Sequence, residues 1–520
     1  MNPSTTKRLD LPHGPRRGER FEISIDDLDG RGAGRATLDA LVGPQKEPKT
    51  YTFSVRKCVP GDVVRVAVES LRRRNVKARV VEFLEPSAMR IAPRCRHFGL
   101  RERAGRGCGG CRLQMLDYRH QLAIKERHLK RLLGGAGIDP GLVDPVRGMD
   151  EPWFYRNKME LSFGHDADGA FALGLHPTGY RYEVIRQEEC FLQSEFSAAL
   201  TRHVRGWAEE LGLRPFLHDE GCLRTLTIRE GKRTGQTLVE LTTTGADVFE
   251  TAGGARPASQ VADAFREAVL AVSEAVDSIY WTQHVAARGE PSRLVEHLLH
   301  GAPTFREKLR LPGDRELSFD IHPRAFFQTN TRQTEVLYAR VVDALRHHVG
   351  EDAAVLDLYC GTGTIGLAVS PWVGRVVGIE LQPDAVENAR ANARSNGIEN
   401  AAFHCGDVGA VLEELDLTAD AVVVDPPRAG LADAAFEQTV RIDAQTMVYV
   451  SCNPEALARD LRRLRDGGWQ IASIEPVDMF PHTFHVESVA VLTRRVRPAP
   501  VFGTSGRRPE RTRARARRFL

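Results

Sequence analysis

Ala354-Val355-Leu356-Asp357-Leu358-Tyr359-Cys360-Gly361-Thr362-Gly363-Thr364-Ile365-Gly366 is an apolar run of strand length that enters a turn with two glycines and leads into a helix start. Glycine lets a backbone approach a ligand closely, and a helix start offers free N–H groups. Outward from this turn the alternation repeats. The runs VVGIE, AVVVD, MVYVS and VAVLT are separated by amphipathic stretches between about 330 and 495. That is the pattern of an α/β fold with a mostly parallel sheet. The second run ends at Glu380, 19 residues beyond Gly361, where a carboxylate is placed to accept hydrogen bonds from two ribose hydroxyls. Turn and acid together point to a nucleoside-bearing cofactor. Asp407, after the short strand that ends near His404-Cys405, reads either as a residue near the adenine or as an ordinary loop aspartate. The sequence has no G-x-x-x-x-G-K-S/T loop, which argues against a phosphate-gripping nucleotide enzyme.

The fourth run ends in Asp425-Pro426-Pro427-Arg428. Two prolines fix a rigid turn at the carboxyl edge of the sheet, where α/β proteins bind ligands. Enzymes that methylate amino groups usually carry Asn before the two prolines; Asp425 points to another acceptor atom. The fifth run ends in Tyr449-Val450-Ser451-Cys452-Asn453-Pro454-Glu455. Asn453 suits a helix N-cap and Pro454 the first helical position. Cys452 is thus predicted at a strand end beside a helix N-terminus, an environment that lowers a thiol pKa. The remaining cysteines Cys58, Cys222, Cys360 and Cys405 read as inert. In Phe480-Pro481-His482-Thr483-Phe484-His485-Val486-Glu487, a carboxylate leading into an apolar strand is costly to bury without a purpose. A general base has such a purpose.

Uracil C5 is a reaction centre that needs both groups. Thiolate addition at C6 turns the ring into an enolate whose C5 attacks a methyl donor, and a base then removes the C5 proton so that the thiol leaves. The base has to leave its stack to expose both faces, which costs a few kcal/mol and less in loops.

Upstream, residues 21–85 carry short runs (FEISIDDL, YTFSVRK, DVVRVAVESL, VKARVVEFL) between Gly and Pro punctuation, which predicts a small all-β barrel. Arg72, Arg73, Arg74, Lys77 and Arg79 cluster on one strand and its edge, either as a solvated face or as an RNA-contacting one. Residues 87–310 form a mixed α+β region with a helix over Tyr118 to Leu133 and strands at KMELSFG and LRTLTIRE. It contains Cys95, Cys108-Gly109-Gly110-Cys111 and Cys190, a set able to hold zinc or an iron–sulfur cluster.

These pieces resemble the bacterial 23S rRNA (uracil-5-)-methyltransferases, within the RNA 5-methyluridine methyltransferases. The matching text is Phe326-Phe327-Gln328-Thr329-Asn330, DLYCGTGTIGL, the strand end at Glu380, DPPRAGL, YVSCNPEALARDL and FPHTFHVESV, in order through the catalytic region. The resemblance implies a Rossmann-like class I methyltransferase domain. It implies that Gln328, Tyr359, Thr364, Glu380, Asp407 and Asp425 line an S-adenosylmethionine site, that Cys452 is the nucleophile and that Glu487 is the base. GRGAGR and VPGD make the N-terminal barrel similar to a TRAM RNA-binding module, an OB-like fold. Cys95, Cys108, Cys111 and Cys190 resemble the family's four [4Fe-4S] ligands. Twelve residues separate Cys95 from Cys108, more than the family pattern, and the extra basic, Gly-rich text reads as a loop.

The expected organisation is a tail over 1–18, the TRAM-like barrel over 19–86, a cluster-bearing domain over 87–310, the methyltransferase domain over 311–496 and a basic tail over 497–520. The substrate implied is RNA, 23S rRNA before tRNA. A non-catalytic RNA-binding protein on the same scaffold is the rival of another class, disfavoured by the Cys452–Glu487 pair. Hydrophobic content of 42% and charged content of 27% fit a globular protein. The absence of an apolar run of ~18 residues or of a signal-peptide core predicts a cytoplasmic protein with no membrane partner, expected as a monomer. Net charge is only +3, yet seven arginines against one acid lie between Arg507 and Arg518, a tail able to track phosphates.

Overall fold

The computed structural model describes residues 9–99, 107–286, 289, 291–415 and 418–494. The expected 497–520 tail and most of the loop between Cys95 and Cys108 lie outside the described residues.

The apolar runs of the C-terminal half form one seven-stranded sheet. Its strands are Ala354–Leu358, Arg375–Glu380, Ala401–Cys405, Ala421–Val424, Thr446–Ser451, Gln470–Val477 and Glu487–Thr493. Counted in that order they lie side by side as 3-2-1-4-5-7-6. The first five pair in parallel, and the last strand runs antiparallel to both of its neighbours. Successive side chains on a strand point to opposite faces, so each strand feeds two cores. Val355, Val376, Val423, Val448 and Val491 face the helix Thr331–His348. Leu356, Val377, Val422, Met447 and Leu492 face the other way, against the helix Pro454–Asp466. Each such fully buried Val or Leu contributes roughly 1.5–3 kcal/mol.

The same second core contains Leu129 and Leu133 of the helix Tyr118–Gly135. A helix from the expected central domain therefore packs on the methyltransferase sheet. The hairpin Phe305–Leu311/Arg315–Ile321 also packs into the catalytic core, and the expected 310/311 boundary falls inside its first strand.

A second, six-stranded sheet is built from Lys158–His165, Phe171–Gly174, Leu223–Glu230, Thr237–Thr244, Ser278–Val285 and Arg293–Gly301. The helices Glu195–Glu210 and Ala258–Val272 cover it through Leu200, Val204, Val261 and Phe265. The N-terminal region is a seven-stranded sheet around its own core of Phe21, Ile23, Leu38, Phe53, Val64 and Val76. The expected tail over 1–18 is corrected there. Leu9–Leu11 is a strand paired in parallel with Gly34–Val42, and Leu11 packs on that core. Arg72, Arg73, Arg74, Lys77 and Arg79 are all exposed, around the turn between Val63–Arg72 and Asn75–Glu85. Among the described residues no helix is long and apolar enough to cross a membrane.

Candidate active site

The strand order reverses between the first and fourth strands of the catalytic sheet, and the crevice beyond the carboxyl ends at such a switch point is where α/β sheets bind ligands. Backbone bonds tie the edge together: the Cys360 amide donates to Ile379 O (3.1 Å), Gly406 to Glu380 O (2.9 Å) and Asp425 to Leu358 O (3.3 Å). Tyr359, Glu380, Asp407 and Asp425 therefore stand on one rim. The turn leaves the first strand through three left-handed residues, Tyr359 (φ 64°), Gly361 (φ 55°) and Gly363 (φ 76°). At Gly363 an added Cβ meets the Phe403 ring at 2.8 Å and Ala389 Cβ at 3.0 Å, so packing as well as φ demands glycine. At Gly361 a Cβ meets nothing within 4 Å, which leaves the turn open on that side.

The Glu380 carboxylate accepts from the Gly361 amide (3.1 Å) and the Gln382 amide (2.9 Å), which orients it at the strand end. Thr364, the first residue of the helix Thr364–Val369, shares a 2.7 Å hydrogen bond with the Tyr338 hydroxyl. Asp407 is exposed and accepts from the Ala410 amide (3.2 Å). The backbone oxygen of Gln328 accepts from Asn157 Nδ2 (2.8 Å), and the loop residues Phe326 and Phe327 share a crevice with Thr362 and Asn388 of the glycine turn side. Asp357 had no assigned role. It is fully buried and one carboxylate oxygen accepts from the Gly366 amide (2.8 Å), while the other has no partner among the described residues. Burial raises its pKa to about 7.

Ser451 pairs with Ser488 across the antiparallel fifth and seventh strands. One step further along that register Cys452 faces Glu487, which begins its strand. Asn453 caps the next helix, its side chain accepting from the Glu455 amide (3.1 Å), with Pro454 in the first turn, as expected. The lowered thiol pKa is corrected. Burial, then the Glu487 and Asp425 carboxylates, push the Cys452 thiol up to about 11, with only Arg428 opposing. The helix terminus is outweighed because desolvation and two nearby carboxylates all penalise a thiolate. The same causes act on the carboxylates. Burial and Asp425 push Glu487 up to about 8, and burial pushes Asp425 up to about 7.

The Asp425–Leu431 loop is clamped by the helix that follows Cys452. Asn453 Nδ2 donates to Arg428 O (2.8 Å), Arg459 to Ala429 O (2.6 Å), and the Leu431 amide to Asp460 (2.9 Å), which also accepts from the Tyr449 hydroxyl (2.8 Å). Arg428 was quoted in the turn without a role, yet it hydrogen-bonds the Cys452 thiol and lies close enough to hold the Glu487 pKa down. Asp460 carries no local signal; its importance comes from a turn 29 residues upstream. His482 and His485 are poor proton acceptors here: burial pushes them down to about 3 and about 4. Cys58, Cys222 and Cys360 are buried as expected, whereas Cys405 is exposed at the strand end, where nothing covers it.

Cys95, Cys108, Cys111 and Cys190 line one pocket. Gly109 and Gly110 permit this knuckle, since an added Cβ meets His176 O at 2.8 Å or Leu175 Cδ1 at 2.7 Å. The Gly110 amide donates to Cys108 Sγ (3.4 Å). Burial pushes Cys95 up to about 12 and Cys108 to about 11, and raises Cys111 and Cys190; neighbouring cysteines add to the rise at Cys95 and Cys111. Among the described residues no three His, Cys, Asp or Glu side chains are grouped as around a single metal ion.

Residues 350–479 match a methyltransferase domain model, and residues 258–405 match the tRNA (Uracil-5-)-methyltransferase model. An RNA methyltransferase of Protochlamydia amoebophila is 38% identical over 84% of this chain and 98% of its own length. One from Clostridium tetani is 33% identical over 92% and 99%. The chain belongs to the RNA methyltransferases. The crystal structure of the Pyrococcus abyssi tRNA (uracil-54, C5)-methyltransferase in complex with S-adenosyl-L-homocysteine is 26% identical, covers 91% of this chain and 100% of its own, and superposes with a TM-score of 0.64. In this RNA methyltransferase Asp425, on the rim with Tyr359, Glu380 and Asp407, stands beside Cys452.

Proposed function

We propose that this enzyme methylates C5 of a uridine in RNA, with Cys452 adding to C6 and Glu487 removing the C5 proton. The carrying observation is that Cys452 and Glu487, far apart in sequence, meet across the Ser451–Ser488 register with Arg428 beside both. S-adenosylmethionine supplies an electrophilic methyl. The fit of the site to it rests on the open side of Gly361, the oriented Glu380 carboxylate and the unpartnered Asp357 oxygen. Glu380 binds the ribose hydroxyls and Asp407 the adenine side; Tyr359, Thr364, Gln328 and Asp425 complete the lining.

Cys452 gives up its proton to solvent and its thiolate forms a bond to C6, moving the ring electrons toward O4. C5 then takes the methyl as the methyl's bond to the donor sulfur breaks, and the demethylated donor leaves as a neutral thioether. Glu487 accepts the C5 proton, the ring electrons return, and the Cys452–C6 bond breaks. A carboxylate raised to about 8 is a stronger proton acceptor than an exposed one. Arg428 offsets charge on Glu487 and on Cys452 and so helps hold the pair in one site.

The four-cysteine pocket is proposed to hold a [4Fe-4S] cluster through Cys95, Cys108, Cys111 and Cys190. Thiolates around one zinc stand only ~4 Å apart, given Zn–S of ~2.3 Å. The four cysteines line one pocket, and thiolate-only ligation suits zinc or a cluster; the family resemblance favours the cluster. Such a centre supplies the positive charge that buried thiolates require. The N-terminal sheet is proposed as a TRAM-like RNA-binding barrel that uses Arg72, Arg73, Arg74, Lys77 and Arg79. The domain division is proposed as read from the sequence with two changes: Leu9–Leu11 joins the N-terminal barrel and the hairpin Phe305–Leu311/Arg315–Ile321 joins the methyltransferase domain, while the helix Tyr118–Gly135 serves two domains.

The substrate proposed is 23S rRNA, from the family resemblance. A tRNA substrate is the second reading, favoured by the Pyrococcus abyssi relative, which acts on uracil 54 of tRNA. Methyl-labelled cofactor offered to separated rRNA and tRNA, with mass-spectrometric mapping of the labelled fragment, decides between them. Label on an exocyclic amine or a ribose overturns the C5 reading.

A further inference from the structure

The segment between the sixth and seventh strands of the catalytic sheet makes a left-handed knuckle at His482 (φ 65°) before it reaches Glu487. A side chain with a Cβ disfavours that conformation, so it persists only where surroundings over-determine it. They do so here, and every partner comes from outside the sheet. The His482 amide donates to Gln121 Oε1 (3.0 Å), and Gln121 Nε2 stands 3.2 Å from His482 Nδ1. His482 Nε2 lies 3.1 Å from Pro152 O. The His482 carbonyl accepts from the Arg112 (2.7 Å) and Leu113 (2.9 Å) amides, directly after Cys111. Trp153 stacks on the imidazole at 3.7 Å.

Because Pro152 O can only accept, Nε2 carries the proton and Nδ1 accepts from the Gln121 amide. The same glutamine thus reads both the backbone and the ring of His482. Its second amide proton goes to Leu116 O (2.9 Å), which fixes its orientation, and it is 1% exposed on the helix Tyr118–Gly135. Little slack separates the knuckle from Glu487. Thr483 Oγ1 donates to Phe480 O (2.8 Å) and accepts from the His485 amide (3.2 Å). Cys452 has anchors of its own besides the Ser451–Ser488 register: its strand pairs in parallel with Ala421–Val424, and the Asn453 cap fixes the helix that follows.

We propose that Gln121 is a positioning residue for proton removal: by clamping His482 it sets where Glu487 meets C5, and it leaves the addition of Cys452 untouched. This rests on the reading of Glu487 as the base. Loosening the clamp misplaces Glu487 only, so a defect should gather at the last step, after C5 has its methyl and while the Cys452–C6 bond is intact.

The test uses the full-length enzyme with its RNA substrate and methyl-labelled S-adenosylmethionine. Gln121→Met removes both contacts; Gln121→Glu keeps the acceptor for the His482 amide and loses the donor to Nδ1. Expected for Gln121→Met are a kcat lower by about 10- to 100-fold, the scale of a small misplacement, a KM for RNA within about twofold of wild type, and a labelled protein–RNA band on a denaturing gel. Adduct yield should fall in the order Glu487→Gln, Gln121→Met, Gln121→Glu, wild type. A Gln121→Met enzyme that binds S-adenosylmethionine normally and turns over at the wild-type rate overturns the inference. So does a raised KM without adduct. Should Gln121→Met fail to fold, Gln121→Glu decides by the same band. If Glu487→Gln itself gives no adduct, the reading of Glu487 fails instead.

Discussion

Replacing Glu487 by Gln tests the site through stability as well as through chemistry. The side chain is 4% exposed, and its pKa is pushed from 4.5 to about 8 by burial and by Asp425. An acid whose folded pKa is raised holds its proton more tightly in the folded state. Between 4.5 and about 8 the folded protein therefore binds more protons than the unfolded one, and this group makes stability fall as pH rises. At ~1.4 kcal/mol per pH unit, the cost of the buried charge reaches about 3 kcal/mol at pH 7 and about 5 kcal/mol above pH 8. Glutamine keeps the size of the protonated acid and has no such cost. The variant should match wild type near pH 4 and exceed it progressively up to pH 8. Denaturant midpoints across pH 4–9, with and without the substitution, measure this. The same variant should lose turnover by about 10²–10⁴-fold, the usual contribution of a general base, and trap methylated RNA on Cys452. A stability difference that is the same at pH 5 and pH 8 would refute the costly buried charge. Normal turnover without adduct would refute the base.

Cys452→Ala or Cys452→Ser should bind S-adenosylmethionine normally and retain less than about a thousandth of the wild-type rate, measured by label transfer; a larger residual rate counts against covalent catalysis. The wild-type rate should rise with pH toward about 8 as Glu487 ionises, and continue upward because the Cys452 thiol stays protonated toward about 11; Arg428→Gln removes a cation that holds both values down and should move this profile to higher pH. Lys125 and Asp478 form an ion pair at 2.6 Å with both side chains 0% exposed. Lys125→Met should cost about 3–5 kcal/mol in denaturant titration by stranding the carboxylate, and Lys125→Met with Asp478→Asn should recover most of it. Protein purified without oxygen should be brown with four irons per chain on the family's cluster stoichiometry; one zinc and no acid-labile sulfide would instead establish a structural zinc site.

Much of the site was legible because its signals are local. The Asn453 cap, the Pro454 helix start and the glycine turn depend on contacts within a few residues, and the structure reproduces each. The strands were legible because a buried parallel sheet demands short β-branched runs. The roles of Arg428, Asp460 and Gln121 were not legible. Each acts on a backbone group or side chain distant in sequence, so no spacing rule marks it. The thiol of Cys452 was misread for a related reason. A helix N-terminus is a local feature, whereas burial and the neighbouring Glu487 and Asp425 arrive only with the folded sheet.

The sequence by itself determined the repeating strand–helix architecture, the glycine turn and the residue types from which C5 chemistry is proposed, because propensity, capping and turn geometry are properties of short segments. Only the tertiary structure decided the 3-2-1-4-5-7-6 order, the register that sets Cys452 against Glu487, and the gathering of four cysteines around one pocket. It alone also placed the helix Tyr118–Gly135 on the methyltransferase sheet, with Gln121 against His482. Those are decided by the burial of apolar faces between segments remote in the chain, and by the electrostatics that such burial imposes on whatever polar groups it encloses.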